Sequence, residues 1–108
     1  MNDNLIIVKA RIKMKTADEG GRSRGFTSGY RPIHVFEAPK ENQLICGYGG
    51  DIRFEGKELI EPGETAEVIV RFLRNPHIDK YIHVGRKWLL CEGARPLGFG
   101  EILGVINP

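Results

Sequence analysis

Histidine, serine and cysteine side chains, which often act as catalytic bases or nucleophiles, are few and widely spaced in this chain. The three histidines are His34, His77 and His83. No two of them have the i, i+2 or i, i+4 spacing by which neighbouring imidazoles reach one metal ion. Ser23 and Ser28 lack the GxSxG setting that exposes a nucleophilic serine at a strand–helix turn. The sequence therefore predicts no catalytic residue and no metal site.

Nucleotide chemistry is also not expected. A phosphate-cradling loop needs the pattern GxxxxGK[ST] ahead of a helix, and this pattern does not occur in the chain. The glycine-rich run at residues 47–50 opens no helical pattern, so we interpret it as a turn. We predict that the protein is not an enzyme, binds no guanine nucleotide and uses no cofactor.

The cysteines and the first residues bear on location. Cys46 and Cys91 form neither a CxxC pair nor a disulfide framework, so both are expected to be buried, reduced thiols. The first 13 residues hold only four consecutive apolar side chains, which fits neither a signal peptide nor a membrane span. These features predict a cytoplasmic protein that does not enter a membrane.

Charge is distributed unevenly although the formal net charge is only +2. The segment from Glu37 to Glu67 is acidic, whereas the segments before Arg24 and after Arg71 are basic. Such blocks are explained either by solvated strand faces of both signs or by a basic patch that attracts an acidic partner. Composition alone leaves both interpretations open.

The elements that must position these side chains are short strands. Residues 6–15 alternate strictly between apolar and mostly cationic side chains, which indicates a half-buried strand. Further extended segments are predicted at 30–36, 44–46, 51–55, 65–73, 88–91 and 97–106. A long glycine-rich loop at 16–29, a type II turn at Glu61–Glu64 and a connector at 92–96 separate some of them. No helical stripe occurs, so we predict one all-β domain over 1–108, a small closed antiparallel β-barrel of about six strands with its core at about 6–105.

Two groups of residues in these segments need a physical reason. Gly98, Gly100 and Gly104 recur along the last strand, where glycine is costly unless a backbone approaches closely or the sheet coils sharply. Phe26, Tyr30 and Tyr48 lie in or beside glycine-rich loops, where aromatic rings either cap the core or are presented to a partner.

Four motifs taken together resemble a known family. The chain contains DEGGR at 18–22, GYRP at 29–32, EPGE at 61–64 and CEGARPLGFG at 91–100. Their order and spacing resemble the C-terminal (third) domain of bacterial elongation factor Tu across nearly the whole chain. The resemblance implies a six-stranded antiparallel barrel that performs no chemistry. It also implies packing against other domains and contact with the T stem of aminoacyl-tRNA, while guanine nucleotide binding belongs to a different domain of that factor.

The resemblance also suggests a binding surface. Glu92 and Gly93 match family positions at the tRNA surface, but Ile33 replaces a glutamine and Cys91 an arginine of that surface. We therefore expect docking to a protein partner, through residues of the DEGGR, GYRP and CEGAR motifs: Glu19, Arg22, Tyr30, Arg31, Glu92, Gly93 and Arg95. The alternative is an RNA-binding module, which would add the cationic face of the first strand: Lys9, Arg11, Lys13 and Lys15. The sequence does not name the partner, the pathway or the oligomeric state.

Overall fold

The fold is all-β, as predicted. The computed structural model describes residues 4–37 and 47–108. It contains six strands: β1 (Leu5–Met14), β2 (Ile33–Val35), β3 (Gly50–Arg53), β4 (Thr65–Leu73), β5 (Lys87–Glu92) and β6 (Arg95–Asn107). One 3₁₀ turn, Asp79–Tyr81, is the only helical element in these ranges. All strand pairs are antiparallel, and the order β2-β5-β6-β1-β4-β3 forms one curled half-barrel sheet.

β1 and β4 form the centre of the core. The apolar side chains of β1 alternate inward as predicted and are buried: Ile6, Val8, Ala10, Ile12 and Met14. β4 contributes Val68, Val70 and Phe72 on the same side, with Val8 opposite Val70 in the register. Because side chains alternate along a strand, the cations of β1 point to the outer face of the sheet.

The two edges of the sheet are connected by isolated backbone pairs. Phe26 pairs with Ile60, Tyr30 with Ile52 and His34 with Tyr48, all antiparallel. Each pair joins the segment that leads into β2 with the segment that contains β3. The sheet is therefore curled enough to bring its edge strands within hydrogen-bonding reach at three points.

Several aromatic side chains pack together at the end of the core near β2. His34 is fully buried and lies edge-on against Phe72, with ring centroids 4.8 Å apart. Trp88 Nε1 donates to His34 Nδ1 at 3.0 Å, and His34 Nε2 lies 3.1 Å from the carbonyl oxygen of Gly50. Nδ1 thus accepts and Nε2–H donates, which defines a neutral imidazole. Burial lowers the pKa of His34 to about 4.

Two of the three glycines on β6 have a packing reason. A Cβ on Gly98 would lie 2.6 Å from the Lys13 carbonyl oxygen, which confirms the predicted close approach of a backbone. A Cβ on Gly100 would lie 2.7 Å from the Trp88 ring, so here the neighbour is a side chain. Gly104 has open space around it, and the predicted reason does not apply there.

The segment boundaries differ from prediction in two places. The expected connector at 92–96 is only a Gly93–Ala94 turn, because β5 and β6 stay paired as far as Glu92 opposite Arg95. The expected strand at 44–46, together with Cys46, lies outside the described residues. The predicted turn at Glu61–Glu64 is confirmed by a hydrogen bond from the Glu64 amide to the Glu61 carbonyl at 3.1 Å and by a φ of 83° at Gly63.

Asp51 on β3 is a buried carboxylate. Arg71 Nε and Nη2 donate to its two carboxylate oxygens at 2.8 and 2.7 Å, and Arg53 Nε donates at 2.9 Å. The positive charges of the two arginines compensate the buried carboxylate. The hydrogen bonds from Arg71 and then from Arg53 lower the pKa of Asp51 to about 2.

Candidate functional site

The hairpin between β5 and β6 carries a carboxylate at the centre of a charged cluster. One Glu92 oxygen, Oε2, accepts hydrogen bonds from Arg22 Nη1 and from the Tyr30 hydroxyl. The other, Oε1, accepts from Arg95 Nη2 at 3.3 Å. We call Arg22, Tyr30, Glu92 and Arg95 the Glu92 cluster. All four were predicted site residues, and the fold brings them together from three separate segments.

Local structure explains why these side chains meet. Glu92 and Arg95 form the last pair of the hairpin, and Gly93 closes its turn with a φ of 58°, a region that favours glycine. Tyr30 is held by the buried Phe26 ring, at 4.5 Å between centroids. The Arg22 guanidinium lies 4.8 Å above the Tyr30 ring, a cation–π distance.

The protonation states of the cluster are well defined. Burial, and then the hydrogen bond to Glu92, raise the pKa of Tyr30 to about 12. The hydrogen bond from Tyr30, and then the charge of Arg22, lower the pKa of Glu92 against the effect of partial burial. At neutral pH the phenol therefore donates and the carboxylate accepts. The arrangement orients a phenol and two guanidinium groups around one carboxylate.

A shallow pocket of about 180 Å³ opens beside the cluster. It is lined by Arg22, Ser23, Arg24, Glu92 and Arg95, so Arg24 adds a third arginine to the two that contact Glu92. Arg22 also donates from Nε to the Arg24 carbonyl at 3.2 Å, which draws the two arginine positions together. Guanidinium carries five N–H donors and prefers planar oxygen anions. This pocket therefore suits a carboxylate or phosphate group.

Arg24 and Ser23 were missed by the sequence interpretation. They directly follow the DEGGR motif, and the Arg22-x-Arg24 spacing was the available signal. The loop bends at Ser23 and Arg24, and Arg22 and Arg24 line the same pocket. A pair of arginines at that spacing next to a glycine-rich turn was therefore a reason to include both.

Two predicted residues lie outside the cluster. Glu19 stabilises its own loop: its Oε1 accepts from the Thr16 amide at 2.9 Å, and the Glu19 amide donates to Thr16 Oγ1 at 3.2 Å. The hydrogen bond from the Thr16 backbone lowers the pKa of Glu19. The exposed Arg31 side chain has no hydrogen bond or ion pair with any described residue. The structure thus assigns Glu19 to the turn and leaves Arg31 without a link to the Glu92 cluster.

The cations of the first strand do not form an uncompensated stripe. Lys9 Nζ lies 3.4 Å and Arg11 Nη2 4.0 Å from the two carboxylate oxygens of Glu67. Lys13 Nζ donates to the Gly63 carbonyl at 2.7 Å, and Lys15 is half-buried. Contacts with Gly63 and Glu67, both in the segment from Glu37 to Glu67, therefore offset part of the positive charge on the first strand. That charge was the basis of the predicted RNA-binding alternative.

Several other expectations can be compared with the structure. Cys91 is a free, buried thiol, and burial raises its pKa. Over residues 4–37 and 47–108, no three histidine, cysteine or acidic side chains lie close enough together to hold a metal ion. Within the same ranges, no helix is long and apolar enough to span a membrane.

The Glu92 cluster is described by its own geometry. No family model matches the chain. The site consists of one half-buried carboxylate, two guanidinium groups that contact it and an open pocket alongside.

Proposed function

We propose that this protein is a non-catalytic binding module that docks to a protein partner through the Glu92 cluster. The observation that carries the proposal is that Arg22 and Arg95 are both held by Glu92 beside an open pocket. Arginines fixed by a carboxylate lose little side-chain entropy when a partner binds, and arginine is enriched among residues that dominate interface energy. The partner group expected in the pocket is a carboxylate.

The fold we propose for the module is a closed six-stranded barrel similar to the third domain of elongation factor Tu. The three isolated pairs between the edge segments support closure, and the order of the four motifs supports the family. This resemblance is also the reason to propose a cytoplasmic role connected with translation.

RNA binding is the second candidate, and one observation favours it. Three arginines line the pocket, and guanidinium groups bind phosphate as readily as carboxylate. The replacement of a family arginine by Cys91 and of a glutamine by Ile33 weakens this candidate, because neither side chain donates to a phosphate or ribose as its counterpart does.

The test is partner retention by tagged protein purified from its own cells. We expect the double variant Arg22→Ala with Arg95→Ala to lose a protein that the wild type retains after ribonuclease treatment. Because the variant removes both cations that contact the half-buried Glu92, we expect its melting temperature to fall, and partner retention is compared at a temperature at which both proteins are folded. Lys80→Ala, which removes an exposed cation outside the cluster, is the matched control. Retention that ribonuclease abolishes would favour RNA, and full retention by the double variant would contradict the site.

A further inference from the structure

The outer face of the sheet presents an aromatic ring at its centre. Phe99 lies on β6, which runs between β1 and β5 in the strand order, and 47% of Phe99 is exposed. Its neighbours in the register are Lys13 on β1 and Leu89 on β5. A large exposed aromatic is unusual in the middle of a sheet face, where polar side chains normally meet water.

The exposure of Phe99 is a consequence of packing beneath it. Gly98 and Gly100 occupy the inward positions on either side, against the β1 backbone and the Trp88 ring respectively. Trp88 itself is buried. Strand alternation therefore directs the Phe99 ring outward, and the filled space behind the strand prevents it from turning into the core.

Cations surround this ring from both neighbouring strands. Arg11 on β1 and Lys87 on β5 lie on either side of Glu101, two residues beyond Phe99. A small pocket of about 110 Å³ joins Phe99, Gly100 and Glu101 to the three cations Arg11, Lys13 and Lys87. The ammonium group of Lys87 forms no hydrogen bond or ion pair within the described part of the chain. Three cations thus border the exposed ring, with Glu101 between Arg11 and Lys87 and Glu67 4.0 Å from Arg11 on the β4 side.

We propose that this face, the Phe99 surface, binds single-stranded nucleic acid, with an unpaired base stacked on Phe99 and the adjoining phosphates held by Lys13, Arg11 and Lys87. An aromatic platform flanked by cations is the arrangement that holds single strands with little sequence preference, because every base has a π-face. The bases of a duplex offer no free face to stack on. The site is separate from the Glu92 cluster and does not depend on it.

The Phe99 surface is distinguished from a protein-docking patch by its charge. An apolar hot spot for a protein partner is usually enclosed by energetically neutral contacts that exclude water. Here the ring is bordered by cations whose side chains extend into solvent. Counterion release makes contacts between such cations and a phosphate backbone favourable, and stacking on the ring makes base binding favourable. Both features therefore favour the same ligand.

The experiment is fluorescence anisotropy with labelled oligothymidylate and oligouridylate of about eight nucleotides. We expect both to bind, and the affinity to fall with salt between about 50 and 200 mM. Phe99→Ala and Phe99→Leu should each weaken binding by about tenfold, while Phe99→Trp should retain it and show quenching of the new indole. Lys87→Gln should reduce the slope of log affinity against log salt by about one charge, and Glu101→Gln should tighten binding.

The matched control is Val105→Ala, which truncates another exposed apolar side chain of the same strand. The Arg22→Ala with Arg95→Ala variant should bind the oligonucleotides as the wild type does, which separates this proposal from the docking site. The proposal is overturned if neither oligonucleotide binds, if a duplex of the same length binds as tightly, or if Phe99→Leu behaves like Val105→Ala. Thermal melting of each variant ensures that folded protein is compared.

Discussion

At the scale of single residues, environment decides what a titratable side chain does. Asp51 and Glu92 are both carboxylates that contact two arginines. Asp51 is almost completely enclosed and completes the packing of β3 on β4, whereas the Glu92 side chain is 37% exposed beside a pocket. The same chemistry is therefore structural in one place and available to a partner in the other.

His34 leads to a prediction about pH. Its pKa in the folded protein is about 4, well below the value near 6.5 of an unfolded histidine. In the unfolded chain His34 takes up a proton below about pH 6.5, whereas in the folded chain it does so only near pH 4. The free energy of unfolding therefore falls as the pH decreases between these two values. The full loss is roughly 3 kcal/mol, with a slope of up to about 1.4 kcal/mol per pH unit.

Urea unfolding measured from pH 7.5 down to 4.5 tests this. The stabilisation by Asp51 is constant above its unfolded pKa and is lost only as the pH falls below that value, because its folded pKa is about 2. The change of stability with pH above about pH 5 therefore reports mainly His34. The variant His34→Gln should be less stable at pH 7.5 and should lose most of the slope between pH 6.5 and 5. A slope that His34→Gln leaves unchanged would assign the acid sensitivity to another group.

At the scale of elements, β6 connects the core to both proposed surfaces. Its inward side carries Gly98 and Gly100 against β1 and Trp88, its outward side carries Phe99, and its first residue, Arg95, belongs to the Glu92 cluster. Thirteen residues of one strand thus determine how tightly β1 and β5 approach and what faces solvent.

The glycines of β6 offer a matched pair of substitutions. Gly100→Ala should destabilise the protein by about 1–3 kcal/mol, because the new methyl group would overlap the Trp88 ring and force it to move. Gly104→Ala places the same methyl group on the same strand in open space and should be neutral or slightly stabilising. Chemical denaturation of both variants measures the difference. If the two variants are equally stable, the Trp88 ring moves aside for the new methyl group without lowering the free energy of unfolding.

At the scale of the whole molecule, the central question is whether the curled sheet behaves as a closed barrel. The backbone amides of Phe26, His34 and Ile52 donate across the edge segments at 2.9–3.0 Å. If closure is cooperative, these amides exchange with solvent only when the whole domain opens. We expect their hydrogen-exchange protection to match that of β1 and β4.

Native-state hydrogen exchange followed by NMR measures this directly. Thr27 and Ser28 lie in the same segment but belong to none of the three edge pairs, so their amides serve as internal controls for a fraying loop. Exchange of Phe26, His34 and Ile52 as fast as these controls would mean an open sheet whose edges touch only transiently.

Most of the candidate site was predictable because its parts lie in recognisable motifs. Arg22, Tyr30, Glu92 and Arg95 were each identified from DEGGR, GYRP or CEGAR. Their association around one carboxylate was not, since it depends on contacts 62 and 70 residues apart. Glu19 is engaged with Thr16 in its own turn, and the DEGGR motif alone does not separate that local role from a place in a binding surface.

The sequence by itself determined the all-β class, the inward face of β1 and β4 and the turn at Glu61–Glu64. These follow from local rules: a two-residue period of hydrophobicity and the φ angles that proline and glycine permit. Three features depended on the tertiary structure alone. Asp51 is buried between arginines, and Glu67 forms ion pairs with Lys9 and Arg11 of β1. Phe99 and Lys87 lie next to Arg11 on one face of the sheet. The physical reason is that strand order and register pair residues far apart in the chain, and a single sequence carries no local record of that pairing.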